Sequence, residues 1–597
     1  LMVIAIGVNT ILEMPRSEDP EMAVPEYWIV VVFPGTSPKD MEEMVVDPLE
    51  AKLTSLENIK KVSTDIKNGI SLTWIQYNYG VDVESKYQEV IREVNNLRNT
   101  LPKEIYAIEV RKYLASNVNV LQTALISENA SWDNMRKQAR ILKEELEQIP
   151  ELKNVEIHGL PKKQVRIELS TDKMAQMNIP LEEVLGIVES EAVNIPGGSI
   201  NAGARTYNIQ TSGNYRSVED IKNTVIHSYD GKNIFLKDIA DVYFDFEKEN
   251  YLTRLNGHRC VLVVAAQKPG ENISMTQGKY LPVLEKFRSK LPPNMQLVQN
   301  FDQADNVNRR LGGLAEDFLI AILLVAITLL PLGGRASVIV MISIPLSLSI
   351  GIIMMNALGY TLNQLSIVGF VVALGLLVDD SIVVVENIER WIREGYSRYD
   401  ATILGTKRIA LAVIGCTATL IVAFLPLTLL PGSTGDFIRS QPMAVIVTVF
   451  ASMLVALTVI PFLASRILSA HSGPTEGNIF LRGLKNAIHH SYAPLLDRAL
   501  NHPVVTAVVA LILFGGSLLM IPVIGFSLFP ASEKPQFLVD VITPLQSNLD
   551  RTAEVAKEIE GELLKLPEVE FVTTNIGKGN PTVYYNILQE DERPDFA

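Results

Sequence analysis

The stretch GLLVDDSIVVVEN, residues 375–387, decides how this chain is to be read. Asp379 and Asp380 stand side by side in a run that otherwise has the composition of a membrane helix. One aspartate at the centre of a membrane helix costs about 2.5–3.5 kcal/mol on insertion scales. Neighbouring charges also repel. A carboxyl whose protonation changes with its surroundings is the chemistry such a pair can serve. Neighbours on a helix are about 100° apart, so the two can face one side of a bundle and share a cationic partner. The competing reading, a helix end wetted by headgroups, is opposed by the apolar SIVVV that follows at 381–385. Glu386 reads as a boundary residue at the cytoplasmic surface. Gly369 and Gly375 in the same run permit close helix packing. Pro345, Pro426 and Pro461 interrupt other runs, as prolines commonly do in membrane helices.

Working outward, apolar blocks cover residues 318–332, 336–356, 364–385, 409–430, 442–464 and 503–526. Most approach the ~20 residues needed to cross the hydrocarbon core. The shortest, 318–332, must borrow from the LGGLAED turn before it. Residues 1–12, LMVIAIGVNTIL, read as a further span cut off at its start, without the basic region of a signal peptide. None of the blocks 318–332, 336–356, 409–430, 442–464 and 503–526 holds a Lys or Arg. The cation that would pair with the aspartates is therefore supplied from outside these blocks, or the carboxyls are held neutral.

The chain has 597 residues and a formal net charge of −14, which argues against nucleic-acid binding. Its cysteines are Cys260 and Cys416, the second inside an apolar block, so a disulfide framework is not expected. Lys and Arg collect at 387–408 and 466–502, whereas 357–363 has neither and 431–441 has Arg439 alone. The basic loops are cytoplasmic on this pattern, and the polar block 13–313 lies outside, as does everything after 527.

That outer block reads as α+β. EYWIVVVFPG (26–35) alternates as a strand, and PKDMEEMVVDPLEAKLTS (38–55) has helical spacing. Strands at 59–66 and 70–80 and a helix at 83–101 follow. A second pass gives strand 118–127, helix 132–148, strands 153–158 and 164–169, and helix 181–191. Two β-α-β-β-α-β passes suggest split βαβ units of ferredoxin-like type. Residues 195–250, rich in Gly, Asn and Asp, read as a separate insert. In 475–500, Phe480, Leu484, Ala487 and Ile488 alternate at helical spacing with Arg482, Lys485 and His489. That suits a helix lying on the inner membrane surface, although Gly483 and a solvated linker helix speak for the alternative.

The chain also repeats itself. PRSEDP at 15–20 is answered by PASEKP at 530–535, and LENIKKVST at 56–64 by LPEVEFVTT at 566–574. Tandem halves are a transporter signature, because two related bundles can rock about a midplane site. The expectation is a whole first half and the start of a second, in a parent protein of about twelve spans.

At GLLVDDSIVVVENIER the sequence closely resembles the fourth membrane helix of the resistance–nodulation–cell division (RND) transporters, in particular the hydrophobe/amphiphile drug exporters. The resemblance extends through VVVFPGTSP (30–38), VVDPLEAKL (45–53), IPLSLSIG (344–351), LGYTLNQLSIVGFVVALG (358–375), PGSTGDFIRSQ (431–441) and FPASEKPQF (529–537). It implies a multi-pass helical bundle in the bacterial inner membrane with large α+β periplasmic porter domains. It implies multidrug-type efflux by proton antiport, with no cofactor beyond the proton motive force and no enzymatic step. Partners implied are a periplasmic adaptor, an outer-membrane channel, two further copies in a homotrimer, membrane lipid and an amphiphilic substrate. The domains would be a truncated first span at 1–12 and porter subdomains at 27–117 and 118–312, with a docking insert at about 195–255 in the second. Spans two to six follow at 314–470, the interfacial helix at 475–500, the seventh span at 503–527 and the start of a second-half porter subdomain at 528–597. Asp379 and Asp380 match the family's proton-carrying pair, whose Lys partner belongs to a later span of the second half.

Substrate is read less directly. The heavy-metal branch usually has a single Asp here, so the pair favours the drug branch, with metal-cation efflux as the alternative. No metal-ligand array stands out, and Met174 and Met177 read as packing. The family's pocket Phe at a strand end is replaced in VEIHG (155–159) by His158, a weak candidate substrate contact. NIGKGNP (575–581), matching a Phe-rich loop, has no aromatic. A secretion accessory with a single Asp and smaller outer domains, or a non-transporting receptor, fits the double porter repeat poorly. No phosphate-binding loop is present.

Overall fold

A computed structural model describes residues 2–20, 22, 24–112, 118–192, 195–203, 205–211, 215–229, 232–329, 334–468, 479–525, 535–544, 546–584, 587 and 589–597. The chain starts with a short apolar helix, α1 (Met2–Glu13). It then builds a four-stranded sheet from β1 (Glu26–Val32), β2 (Ile59–Lys67), β3 (Ile70–Tyr77) and β4 (Ala107–Lys112). The strand order is β2-β3-β1-β4 and every pairing is antiparallel. Alternation in EYWIVVV sends Tyr27, Ile29 and Val31 to one face. There they meet Leu49 and Leu53 of α2 (Asp47–Thr54) and Val90 and Val94 of α3 (Val83–Leu97). Asp82 starts α3 by accepting the Ser85 amide at 2.6 Å.

The next unit opens with β5 (Asn119–Ile126), α4 (Trp132–Glu147) and β6 (Leu152–His158). Here the structure departs from the expected register. β7 (Lys163–Leu169) and α5 (Leu181–Glu191) do not complete this unit. β7 pairs with β8 (Ala240–Phe246), and Met174, Val184, Ile221, Leu236 and Val242 form a separate small core. The insert therefore begins at β7, before residue 195. After β9 (Leu252–Leu255), the unit is completed by β10 (His258–Gln267), α6 (Ile273–Arg288) and β11 (Gln296–Asp302). The reason lies in composition. CVLVVAAQ (260–267) is buried on both faces, as a central strand must be, while KQVRIEL in β7 is only half covered. β10 pairs with β5 and with β6, and β5 pairs with β11 on its other side.

β11 runs straight into α7 (Gln303–Leu329). The LGGLAED segment expected as a turn is helical, so the short span extends through it; residues 330–333 lie outside the described part. Among the described residues five helices are long and apolar enough to cross a membrane. They are α8 (Gly334–Ala357), α9 (Gln364–Arg393), α10 (Arg398–Thr428), α11 (Ser440–Ile467) and, beyond α12 (Ile479–Ala487) and α13 (Ala493–Asn501), α14 (Pro503–Leu518), which a short turn extends to Ile524. α8, α9 and α11 share a core of Ile344, Met355, Phe370, Leu377, Val447 and Val455. α14 buries no residue. The ends of two expected segments, 475–478 and 526–527, lie outside the described residues, as do the Phe480 side chain and most of PASEKP. Last come α15 (Leu549–Leu563) and β12 (Thr573–Ile576), which pairs with β9.

Cys260 sits in β10 with no exposure, and burial pushes its thiol up to about 12. Thiolate, the reactive form, then exists only as pH nears that value. Thiol reagents are expected to leave Cys260 unmodified at pH 8 in the native protein and to modify it after denaturation; mass spectrometry of the tryptic peptide reads the difference.

Candidate functional site: the split aspartate pair

α9 is set in place from its first turn. Asn363 caps it, with Oδ1 accepting the Leu365 and Ser366 amides at 3.0 Å each. The Ser440 hydroxyl, at the start of α11, donates to the same oxygen at 3.2 Å. One turn on, Gly369 lets α11 approach. A β-carbon added there would sit 2.8 Å from the Ala444 β-carbon and closer still to the Gln441 carbonyl oxygen. Gly369→Val is therefore expected to force α9 and α11 apart and lower the unfolding midpoint by several degrees, measured by thermal unfolding in detergent.

Farther along, the two aspartates part company. Asp380 is 9% exposed, and its Oδ2 accepts from the Thr417 hydroxyl of α10 at 3.2 Å. Asp379 lies on an open side of α9, together with Val368, Val371, Val372, Gly375 and Val383. These recur every three or four residues, which makes a continuous stripe along the helix. The expectation that both carboxyls face one side is thus corrected. Their 100° offset puts one against α10 and the other on the free face. Two further serines are buried in neighbouring stretches of the bundle: Ser381 has no exposure, and Ser452 of α11 donates to the Leu377 carbonyl at 2.8 Å. Thr417, one of three threonines in the apolar run 409–430, gives no signal in the sequence.

The outer end of α9 is tied to the polar domains through residues 14–19. The Gln364 amide donates to the Glu18 carbonyl at 3.2 Å, and Leu362 donates to Pro15 at 2.9 Å. Gln303, the first residue of α7, donates from Nε2 to the buried Glu18 carboxylate at 2.9 Å. Arg310 of α7 hydrogen-bonds the Gln364 side chain. The helix bearing the aspartates and the strand-to-helix joint β11–α7 therefore meet on one polar strap.

His158 lies far from the pair, at the end of β6. Its ring is edge-on to Tyr251 at 6.2 Å, and its Nε2 is 3.3 Å from Glu156. That hydrogen bond holds the Glu156 carboxyl below its usual range. Both His158 and Tyr251 line a cavity of about 1090 Å³ between β1, β4, the β6–β7 turn and residues 247–251, with Lys578, Asp591 and Glu592 on its wall. Arg111 pairs with Asp591 at 3.0 Å and Lys578 with Glu592 at 3.7 Å. The aromatics of this wall are Tyr106 and Tyr251, and the rest is polar, charged or aliphatic.

A profile of the AcrB/AcrD/AcrF family matches residues 1–589. The chain belongs to this family. Among curated proteins it is similar to an uncharacterized transporter of Haemophilus influenzae, 24% identical over 599 residues. That alignment takes in 98% of the chain and 57% of the relative, so the chain spans little more than half the relative's length. That family is part of the RND superfamily, whose members are membrane transporters and not enzymes.

Proposed function

We propose that the protein is the inner-membrane, proton-driven pump of an RND efflux system, exporting amphiphilic compounds through a periplasmic adaptor and an outer-membrane channel as a homotrimer. The observation that carries the proposal is the split aspartate pair. Asp380 is held inside the bundle by a hydroxyl that can donate or accept, so Thr417 can serve the carboxylate and, after rotation, the carboxylic acid. Asp379 is presented on the open stripe of α9, where a basic side chain from a further helix could reach it. Protonation then changes what the stripe can pack against, and a two-state packing is what converts a proton into movement. The polar strap at 14–19 gives that movement a path to the porter sheets. The strand orders β2-β3-β1-β4 and β11-β5-β10-β6 support reading both sheets as ferredoxin-like split βαβ units, the second interrupted by the insert. The cavity beside His158 is the substrate space we favour. Its mixed charges suit amphiphiles carrying a polar head better than purely apolar ones.

The test is energised efflux from bacteria stripped of their own pumps and expressing the gene with its adaptor and channel. Ethidium and taurocholate accumulation should fall on expression and return when a protonophore collapses the gradient. Unchanged accumulation of both compounds, alongside reduced accumulation of zinc or copper ions, would move the reading to the heavy-metal branch.

A further inference from the structure

Residues 479–501 join two membrane spans, and their local geometry is irregular in an informative way. α12 and α13 are α-helical, and Ile488–Tyr492 between them form a π turn. A π turn holds one residue more than an α turn, so it rotates everything after it back by about 100°. In an unbroken α-helix Leu500 would lie about five turns along the same line as Arg482, on the polar side. Arg498 would fall among the leucines. With the π turn in place, Leu496, Ala499 and Leu500 come into line with Leu484, Ala487 and Ile488. Arg482, Asn486, His489, Asp497 and Arg498 share the opposite side, and Lys485 stands at the border. Two short helices thereby present one apolar strip. Its leucines and Ile488 are all exposed.

The chain itself says what covers the strip. α11 ends at Ile467 on one side, and α14 begins at Pro503 on the other, with His502 alone separating it from α13. Both ends are anchored in spans, so the strip is held at the membrane surface. Between 482 and 501 the formal charges are Arg482, Lys485 and Arg498 against Asp497, with His489 and His490 beside them. We propose that this π-phased helix pair binds anionic phospholipid headgroups, its apolar strip seated between them and its basic side chains reaching over them. Charge complementarity selects anionic over zwitterionic lipid, since a Lys or Arg near an anionic surface contributes about five-fold in binding. The proposal needs only the membrane spans and stands apart from the efflux reading.

The test uses the full chain in vesicles of phosphatidylcholine, alone or mixed with phosphatidylglycerol. Leu484→Cys and Leu500→Cys are each combined with Cys416→Ser and labelled with an environment-sensitive dye; buried Cys260 stays unlabelled. Spin-labelled lipid quenches dyes that sit in the bilayer. In anionic vesicles, dyes at 484 and 500 are expected to be quenched alike. Deleting Ser491, which turns the π turn into an α turn, should preserve quenching at 484 and lower it at 500 by about twofold or more. Arg482→Gln, Lys485→Gln and Arg498→Gln together should bring quenching down to the level in phosphatidylcholine. Equal quenching in the two lipid compositions would overturn the headgroup selection. Unchanged quenching at 500 after the deletion would overturn the role of the π turn. Quenching by aqueous iodide instead of lipid, at both positions, would overturn the membrane contact and leave a solvated or protein-bound helix.

Discussion

Asp380→Asn is expected to bring efflux down to the background of cells without the gene, while the protein still reaches the membrane in normal amount. Asparagine has the shape of the carboxyl and keeps an oxygen for the Thr417 hydroxyl, so packing of α9 against α10 survives. What it cannot do is take up and release a proton. Asp379→Asn should be as damaging for transport and even gentler on folding, because Asp379 is exposed in this chain. Thr417 separates the proton site from a merely packed helix. Thr417→Val keeps the shape and removes the hydrogen bond to Asp380, which for a charged partner contributes about 1.5–3 kcal/mol. Efflux should fall several-fold, and Thr417→Ser should restore most of it. Dye accumulation with expression matched by immunoblot reads all four variants. If Asp380→Asn pumped like the wild type, the pair would not be the proton site. If Thr417→Ser failed like Thr417→Val, the methyl group and not the hydroxyl would be what α10 contributes.

The readable parts of this fold are those where composition alone dictates the element. A run of ~20 apolar residues has one common use, so each apolar block from 336 onward coincides, to within two residues at its end, with a long apolar helix among the described residues. EYWIVVV declares a strand with one buried face, and three strands of the first sheet follow from local pattern because they are near neighbours in sequence, whereas β4, AIEVRK, with no clean alternation, does not. The second sheet departs from the local pattern at β7 for the opposite reason. KQVRIEL is a real strand, and the pattern that identifies it says nothing about its partner. The true partner of β6 lies beyond the insert, a separation that no periodicity reveals. The same limit governs the site. The aspartates stood out because carboxylates are costly in a membrane helix. Their different surroundings did not, since α10 reaches Asp380 through a threonine that any apolar helix tolerates. His158 was legible as a departure from a pattern, while its cavity depends on Lys578, Asp591 and Glu592, more than 400 positions away.

Glu560→Ala is expected to destabilise the docking of residues 535–597 by about 3–5 kcal/mol, the usual result of breaking one side of a buried ion pair. Glu560 is 3% exposed, and its Oε2 meets the Arg254 Nε at 3.0 Å while Oε1 accepts the Gly257 amide at 2.5 Å. The contact fixes α15 to the turn between β9 and β10, beside the β9–β12 pairing that runs Leu252 against Ile576. Alanine leaves a mostly covered guanidinium without its counter-charge and a backbone amide without an acceptor, and both penalties act in the same direction. Glu560→Gln keeps an acceptor for Gly257 and should lose about half as much. Arg254→Met with Glu560→Leu removes both charges at once and should be milder than Glu560→Ala, because no uncompensated charge remains. Hydrogen exchange over α15 and β12 measures the docking directly, and a urea series gives its free energy. Protection of α15 unchanged in Glu560→Ala would mean that the strand pairing carries the junction alone. Faster exchange in α15 and β12 together, with β5 and β10 unaffected, would show that this one carboxylate holds the incoming segment to the sheet that receives it.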